Sequence, residues 1–233
     1  MILLLSFFCL SASDISPDIS GFEVYYRVEL DNKNDDNKFR STVSLVKERI
    51  DNLRLILEYS DQKAVFKVKG NLHAFQKDDF VHKTAISVLN LNGKFYADLQ
   101  KEELIRLRKY NDLNYCITSK IKEREWLLQE EKKEIAGYTC KKAISSTKFT
   151  DRFGKISDLK ITAWYTDEIP ISLGPKNYAG LPGLILELSE GVNRITYHFE
   201  SITLNKHILI EDINYSSVDK FVSEVEYFDL VNK

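Results

Sequence analysis

The sequence has few of the residues that build disulfide-stapled or metal-dependent proteins. Its 233 residues include three cysteines, four histidines, one methionine and two tryptophans. So few cysteines exclude a disulfide-rich scaffold. The histidines are scattered through the chain without metal-ligand spacing, at His73, His82, His198 and His207. We therefore predict no metal site and no cofactor.

The motifs of the common enzyme classes are also missing. The chain contains no G-x-S-x-G, H-E-x-x-H, C-x-x-C or G-x-G-x-x-G sequence and no Walker loop. Asp167 and Glu168 are adjacent carboxylates at a predicted strand end, where solvation is a more common role than acid–base chemistry. The net charge is −2, with 33 basic and 35 acidic residues interleaved, so there is no basic surface for nucleic acid. We expect neither enzymatic activity nor a nucleic-acid partner.

The first residues, MILLLSFFCLSAS, form a short apolar run. About a dozen residues are too few to cross a bilayer, and the run is typical of the apolar core of a secretory signal. The usual basic residues before the core are missing, so either the natural start lies upstream or the signal is atypical. Cys9 does not fit a lipidation site because Phe7 and Phe8 precede it, and a buried first strand is the alternative. We predict residues 1–13 as a signal peptide and 14–233 as one β-rich domain.

Alternation of apolar and polar residues dominates the rest of the chain. Phe22–Leu30 and Leu159–Tyr165 are apolar at every second position, which is typical of half-buried strands. Leu53–Tyr59 and Ala64–Val68 flank four polar residues and predict a hairpin. Successive hairpins favour antiparallel pairing. The predicted fold is mainly β, a curved antiparallel sheet or open barrel with a C-terminal helix; a two-sheet sandwich is the alternative.

Three segments carry a helical signal. Ser41–Asn52 and Ser217–Val231 have apolar residues at helical spacing, and Ser217 is the expected N-cap of the second. Glu123–Ile135 is rich in good helix formers. We nevertheless predict strands there, because tertiary context often overrides propensity.

Two shorter patterns concern turns and irregularities. Gly70–Lys83 is predicted as a loop, and Ala85–Leu91 as a strand that pairs with Lys94–Leu99 through the turn Asn92-Gly93. In the last long strand the apolar side changes by one residue, which predicts a bulge near Glu200.

Ile169–Gly183, between two predicted strands, is the most distinctive segment. It holds three of the chain's four prolines and three of its glycines, Pro170, Pro175, Pro182, Gly174, Gly180 and Gly183. Proline fixes φ and donates no hydrogen bond, and glycine permits positive φ. We therefore predict a rigid, non-repetitive connector that packs against the sheet or binds something.

The same segment carries a family signature. The letters GLPGLI at Gly180–Ile185, preceded by Ala163–Thr166, Ile169-Pro170 and Gly174-Pro175, resemble the signature of the GLPGLI family of bacterial envelope proteins, known mainly from Bacteroidetes. A second element resembles the family's W…K-x-I-x-G-Y-x-C-x-K-A pattern, at Trp126, Lys133, Ile135, Gly137, Tyr138, Cys140, Lys142 and Ala143. The resemblance implies an exported, mostly antiparallel β protein. The family has no established activity.

The predicted binding or structural motif lies in this segment. It consists of Trp164, Tyr165, Pro170, Gly174, Pro175, Gly180, Leu181, Pro182, Gly183, Leu184 and Ile185. In one interpretation Leu181, Leu184 and Ile185 anchor the connector in the core. In the other, the connector forms the lip of an apolar cavity or a docking surface.

Cys116 and Cys140 lie on predicted strands that flank the segment around Trp126. An exported chain passes through an oxidising compartment, where two cysteines usually pair. We therefore predict a disulfide between them, with two buried thiols as the alternative.

These expectations lead to two functions. The first is a non-enzymatic exported protein, in the periplasm or on the outer membrane, that carries an apolar ligand inside its curved sheet, by analogy with envelope carriers. The alternative is an adaptor that docks on an outer-membrane or secretion complex. A hydrolase using Asp167 or Glu168 is the least favoured, and we expect no integral membrane protein. A deep apolar cavity favours the carrier, and a filled core favours the adaptor.

Overall fold

The computed structural model describes residues 19–31, 40–69, 80–150, 155–191 and 195–231. The predicted signal peptide, with Cys9, and His73 lie outside these residues. Within them the strands are β1 (Gly21–Leu30), β2 (Arg54–Ser60), β3 (Lys63–Lys69), β4 (Lys94–Asp98), β5 (Glu103–Tyr110), β6 (Leu113–Lys120), β7 (Leu127–Ile135), β8 (Tyr138–Thr150), β9 (Ile156–Thr166), β10 (Leu184–Glu190), β11 (Ile195–Leu204) and β12 (Lys220–Ser223). The helices are α1 (Arg40–Asp51), α2 (Phe80–Val88) and α3 (Glu224–Val231).

All 12 strands found in the described ranges belong to one sheet, in the order β12-β6-β5-β4-β3-β2-β1-β11-β10-β9-β8-β7. Neighbouring strands are antiparallel except β12, which runs parallel to β6. In a flat sheet β6 and β7 would lie about 48 Å apart. Only residues 121–126 join them, a link that reaches at most about 25 Å. The sheet is therefore strongly curved, which confirms the predicted fold class; the two-sheet sandwich is wrong.

The main core lies on the inner face of this curved sheet. Its largest fully buried side chains come from several strands and from α1, and include Phe22, Tyr26, Leu55, Phe66, Ile161, Tyr197 and Ile50. Ala85 in α2 and Leu89, directly after α2, belong to the same core. Helices α1 and α2 pack on each other and close one end of the curved sheet. We call this the helix end.

Several local predictions are confirmed. The hairpin β2–β3 turns at Asp61 and Gln62, whose φ angles of 51° and 64° suit a tight hairpin turn. Strand β7 forms within Glu123–Ile135, where a strand was predicted although the residues favour a helix. In the β1–β11 pairing Tyr25 lies opposite Ser201 and Tyr26 opposite Phe199, so Glu200 is the extra residue of the predicted bulge.

The predictions around residue 85 are wrong. Phe80–Val88 is a helix, where a loop and a strand were expected; residues 70–79 of the predicted loop lie outside the described part of the chain. Ala85 and Leu89 are both 0% exposed and lie one helical turn apart. This short apolar stretch is equally compatible with a strand and a helix. The helix forms because it buries Ala85 and Leu89 on the same side. Asn92-Gly93 leads the chain into β4 and forms no hairpin turn.

The C-terminal helix is present but shorter than predicted. Lys220–Ser223 forms strand β12, and α3 begins at Glu224. Ser223, and not Ser217, caps it: the Glu226 amide donates to Ser223 Oγ at 3.2 Å, and the Ser223 amide donates to Glu226 Oε2 at 2.7 Å. This reciprocal pair is a capping box. Ser217 ends a short 3₁₀ turn.

Candidate functional site

The proline- and glycine-rich connector between β9 and β10 lies on the inner face of the sheet. It has no regular secondary structure, as predicted. Six of its side chains join the main core, Ile169, Ile171, Leu173, Tyr178, Ala179 and Leu181. Pro182 and Gly180, by contrast, are exposed. The connector is thus anchored by its apolar residues while part of its chain faces solvent.

Hydrogen bonds to the backbone hold the connector in this path. Its two ends are tied by the Leu184 amide, which donates to Ile169 O at 3.0 Å, and the Ile185 amide donates to Leu173 O at 2.9 Å. Tyr26 Oη donates to Ile185 O at 2.7 Å, and Trp126 Nε1 donates to Ala179 O at 2.8 Å. Because an unpaired buried carbonyl is costly, Tyr26 stabilises the start of β10, directly after the connector, and Trp126 stabilises the connector itself from the β6–β7 link.

The motif glycines are needed for close packing. A Cβ on Gly183 would lie 2.0 Å from Thr166 O, and one on Gly174 would lie 2.7 Å from Ile185 Cδ1. Gly180 has φ +96°, a conformation that L side chains rarely adopt. The signature therefore has a structural basis: larger residues at these positions do not fit.

Trp164 and Tyr165, the two aromatic residues before the connector, lie on opposite faces of the sheet. Tyr165 is buried in the main core. Trp164 pairs with Glu187 on the other side of the sheet, where Lys133 Nζ lies 4.4 Å from its ring centroid. Lys133 also pairs with Glu187 at 2.7 Å. The predicted motif residues therefore do not converge on one point.

The space between the connector and strands β2 to β5 is almost filled. The cavity there measures about 10 Å³ and is lined by residues that include Leu57, Phe66, Phe95, Leu173 and Tyr178. This is room for roughly one water molecule, far less than a small-molecule site of about 300–1,000 Å³.

An open groove lies at the end of the sheet opposite the helices, beside the connector. We call it the signature groove. Its volume is about 800 Å³, and it is lined by Ile19, Tyr59, Gln62, Leu99, Glu102, Ile121, Lys122, Arg124, Pro170, Ile171, Ser172 and Gly180. Lys122 is paired with Glu102 at 2.8 Å. The Arg124 guanidinium stacks on the Tyr178 ring at 4.5 Å, and its buried Nε has no hydrogen-bond partner among the residues described. The groove is thus lined by polar side chains as well as apolar ones. Among the described residues, Arg124 is a cation in it without an acidic partner.

A buried polar cluster, which sequence reasoning missed, lies at the tip of the connector, away from the groove. Lys176 Nζ is 2.8 Å from Glu190 Oε2, and Tyr178 Oη donates to Glu190 Oε1 at 2.7 Å. Burial lowers the pKa of Lys176, and the nearby Glu190 opposes that shift. Burial also raises the pKa of Tyr178 well above its usual value. The available signal was a lysine in an otherwise apolar, rigid connector.

The candidate acid–base residues Asp167 and Glu168 are bound to groups of neighbouring strands. Asp167 pairs with Lys141, which lowers the pKa of that carboxyl group, and Glu168 accepts the Thr139 amide at 2.8 Å. Among the described residues no group of three or more His, Cys, Asp or Glu side chains has an arrangement suited to a metal ion. Asp167 and Glu168 thus stabilise the strand end.

The predicted disulfide between Cys116 and Cys140 is contradicted by the structure. Both residues are free, buried thiols. Cys140 belongs to the main core, whereas Cys116 packs in a separate cluster with Val65, Tyr96 and Ile105. The cysteines flank the Trp126 segment in sequence, but the curved sheet places their strands in different clusters.

In the described part of the chain, no helix is both long enough and apolar enough to cross a membrane.

Comparison with known proteins agrees with this description. A sequence profile described as "Protein of unknown function (Porph_ging)" matches residues 148–187. The match contains the connector and its signature, so the resemblance to an uncharacterised family is confirmed over this segment. No curated protein sequence matches the chain.

The chain also resembles two solved structures in fold. One is PNGF-II in space group C2, with 15% identity and a TM-score of 0.55 over 91% of this chain and 33% of that chain. The other is PNGF-II in space group P21, with 14% identity and a TM-score of 0.52 over 92% of this chain and 33% of that chain. This chain therefore spans about a third of the length of PNGF-II, and at such low identity the likeness concerns the fold alone.

Proposed function

We propose that this is a non-enzymatic adaptor of the bacterial envelope, which docks a partner protein in the signature groove. One observation carries the proposal: the connector fills the inner face of the sheet with its apolar side chains and lines an open groove with the rest of its chain. Export to the periplasm or outer membrane is part of the proposal, and it rests on the family resemblance and the apolar start of the sequence.

The filled interior favours an adaptor over a carrier. A carrier needs an enclosed apolar space for its ligand, whereas the space under the connector is about 10 Å³. Opening it would require the connector to leave the core and would expose buried residues such as Leu173 and Leu181. Displacing two such side chains costs several kcal/mol, about 1.5–3 for each.

The lining of the groove indicates the partner's chemistry. Ile121 and Ile171 contribute small apolar patches to a lining that is otherwise largely polar. Arg124 contributes a cation that stacks on Tyr178 and whose Nε has no hydrogen-bond partner among the described residues. The occupant that fits is a short segment of a partner protein with an apolar side chain next to an acidic one. Desolvation beside Tyr178 strengthens such a charge-assisted contact.

Site-specific photocrosslinking in the native host tests this proposal. A photoreactive residue at Lys122, in the groove, is expected to give a crosslinked adduct of one defined mass. The same residue at Leu209, which is 84% exposed and does not line the groove, serves as the control position. The variant Arg124→Glu should abolish the adduct, and Lys109→Glu, a charge reversal at the other end of β5, should leave it unchanged.

Two results would overturn the adaptor. The first is an adduct that forms equally from Leu209 or survives Arg124→Glu. The second is extra mass on the protein in native mass spectrometry that organic extraction removes, which would support the carrier.

A further inference from the structure

Two arginines on β5, Arg106 and Arg108, face the inner side of the sheet at the helix end. Arg106 pairs with Phe95 of β4 and with Ile117 of β6, and Arg108 pairs with Tyr115. Arg106 Cζ lies 4.8 Å from the Phe95 ring centroid. This is the end of the sheet opposite the signature groove, so the pair is independent of the proposed docking site.

Both guanidinium groups bind neutral oxygen atoms. Arg106 Nη2 donates to Asn90 Oδ1 at 2.9 Å, to Asn90 O at 3.0 Å and to Asn92 O at 3.2 Å. Arg108 Nη1 donates to the same Asn90 Oδ1 at 3.3 Å. Among the described residues, the hydrogen bonds of both guanidinium groups go to amide and carbonyl oxygens, and none goes to a carboxylate. Arg106 and Arg108, two positive charges, therefore share the amide oxygen of Asn90, and no described carboxylate is bound to either of them.

The charge of Arg106 persists at neutral pH. Burial, and then repulsion from Arg108, lowers the pKa of Arg106 to about 10, so the group remains a cation. Two carboxylates act on it from a distance, Glu190 and Glu224. Glu190 is already bound by Lys176 at 2.8 Å, and Glu224 accepts a weak hydrogen bond from Asn177 at 3.4 Å. The cluster keeps an excess of positive charge.

Three hydrogen-bond donors in the cluster lack an acceptor within the part of the chain that the structure describes. Nε of Arg106 and Nε of Arg108 are buried without a partner, and so is Oη of Tyr227. Tyr227 is only 6% exposed, and Arg108 Cζ lies 5.6 Å from its ring centroid. Buried donors are almost always satisfied in proteins. A ligand rich in acceptor oxygens would satisfy these three groups and neutralise the charge.

We propose that Arg106, Arg108 and Tyr227 form a binding site for a small oxyanion of the phosphate or sulfate type. Guanidinium groups bind such anions through paired N–H donors, and the tyrosine hydroxyl supplies a third donor. The same chemistry is offered by the free ion and by a phosphate ester.

Nuclear magnetic resonance of the arginine side chains tests this site directly. The ¹⁵N-labelled protein is titrated with sodium phosphate, sodium sulfate and glucose 6-phosphate, each against sodium chloride at equal ionic strength. The Nε–H signals of Arg106 and Arg108 should shift saturably with the oxyanions and not with chloride. Tighter binding of the ester would identify an esterified ligand, and tighter binding of the inorganic ion would identify the free anion; both support the site.

The control variants separate binding from folding. Arg108→Gln should raise the dissociation constant roughly tenfold or more, since a hydrogen bond to a charged group is lost. Arg108→Lys keeps the charge and should bind with intermediate affinity. Lys109→Gln, at the exposed neighbouring position, should bind as the natural protein does. Equal shifts with chloride, or unchanged affinity in a correctly folded Arg108→Gln variant, would overturn the proposal.

Discussion

The ammonium group of Lys176 lies 3.0 Å and 2.8 Å from the two carboxylate oxygens of Glu190, and only 5% and 12% of the two side chains are exposed. Lys176 belongs to the connector, and Glu190 ends β10. Their contact ties the tip of the connector to the sheet near the helix end. Tyr197 lies under the ammonium, 5.0 Å from it to the ring centroid. The pair therefore fixes the direction in which the connector crosses the inner face.

Removing one partner of this ion pair should destabilise the protein more than removing both. Lys176→Met and Glu190→Gln each leave a buried group without its partner, at a cost of about 3 kcal/mol. The double variant leaves no uncompensated charge and should be more stable than either single variant. Urea unfolding of the four proteins measures the three differences. Additive losses would show that the two residues act independently.

Leu181 and Pro182 are adjacent but should respond differently to substitution. Leu181 is 2% exposed in the main core, whereas Pro182 is exposed. Leu181→Asp places an unpaired carboxylate in the core and should cost more than about 4 kcal/mol, enough to prevent folding. Pro182→Ala should change stability by less than about 1 kcal/mol. Circular dichroism and thermal unfolding compare the two.

If Leu181→Asp folds normally, the connector is not an anchor, and the filled interior loses its support as evidence for the adaptor. If Pro182→Ala folds but loses the crosslink from the groove, the exposed side of the connector contributes to docking.

The connector and the bulge were predictable because their signals are local. Proline and glycine restrict or widen φ at their own positions whatever surrounds them, so an irregular segment between two strands follows from the sequence. The bulge at Glu200 follows from the period of two in a strand, because one extra residue changes which side is apolar.

The helix α2 and the arginine pair were not predictable in the same way. The stretch around Ala85 is short and apolar, so its sequence fits a helix and a strand equally well. Which of the two forms depends on the residues that the core buries. Arg106 and Arg108 alternate with Leu107 like residues on a solvated face. Only the curvature of the sheet and the position of Tyr227, more than 100 residues later in the sequence, bury them.

The cysteines should remain reduced and unreactive in the folded protein. Burial raises the pKa of the Cys140 thiol to about 11 and also raises the pKa of Cys116, and the thiolate is the reactive form. A Cys9→Ser variant, kept free of reductant, should show no reaction with a thiol reagent at pH 8 in the native state. It should show two reactive thiols after denaturation. If no thiol reacts after denaturation, Cys116 and Cys140 are joined by the disulfide predicted from the sequence.

The carboxylate of Glu187 should contribute to stability at neutral pH and lose that contribution in acid. His198 Nδ1 lies 3.4 Å from it and Lys133 Nζ 2.7 Å from it. Interaction with His198 and then with Lys133 lowers the pKa of Glu187 below its usual value of 4.5. Because the folded pKa is the lower one, the stabilisation is complete above the unfolded value and disappears as pH falls through the folded value.

Glu187→Gln should therefore reduce stability by about 1 kcal/mol at pH 7, and the difference from the natural protein should shrink as the pH falls below about 4.5. Urea unfolding between pH 3 and pH 8 measures this difference. Glu131→Gln is the matched control, since Glu131 pairs with Lys142 but is 60% exposed; its effect should be smaller at every pH. A difference for Glu187→Gln that stays constant down to pH 3 would show that lost packing, and not lost charge, causes the destabilisation.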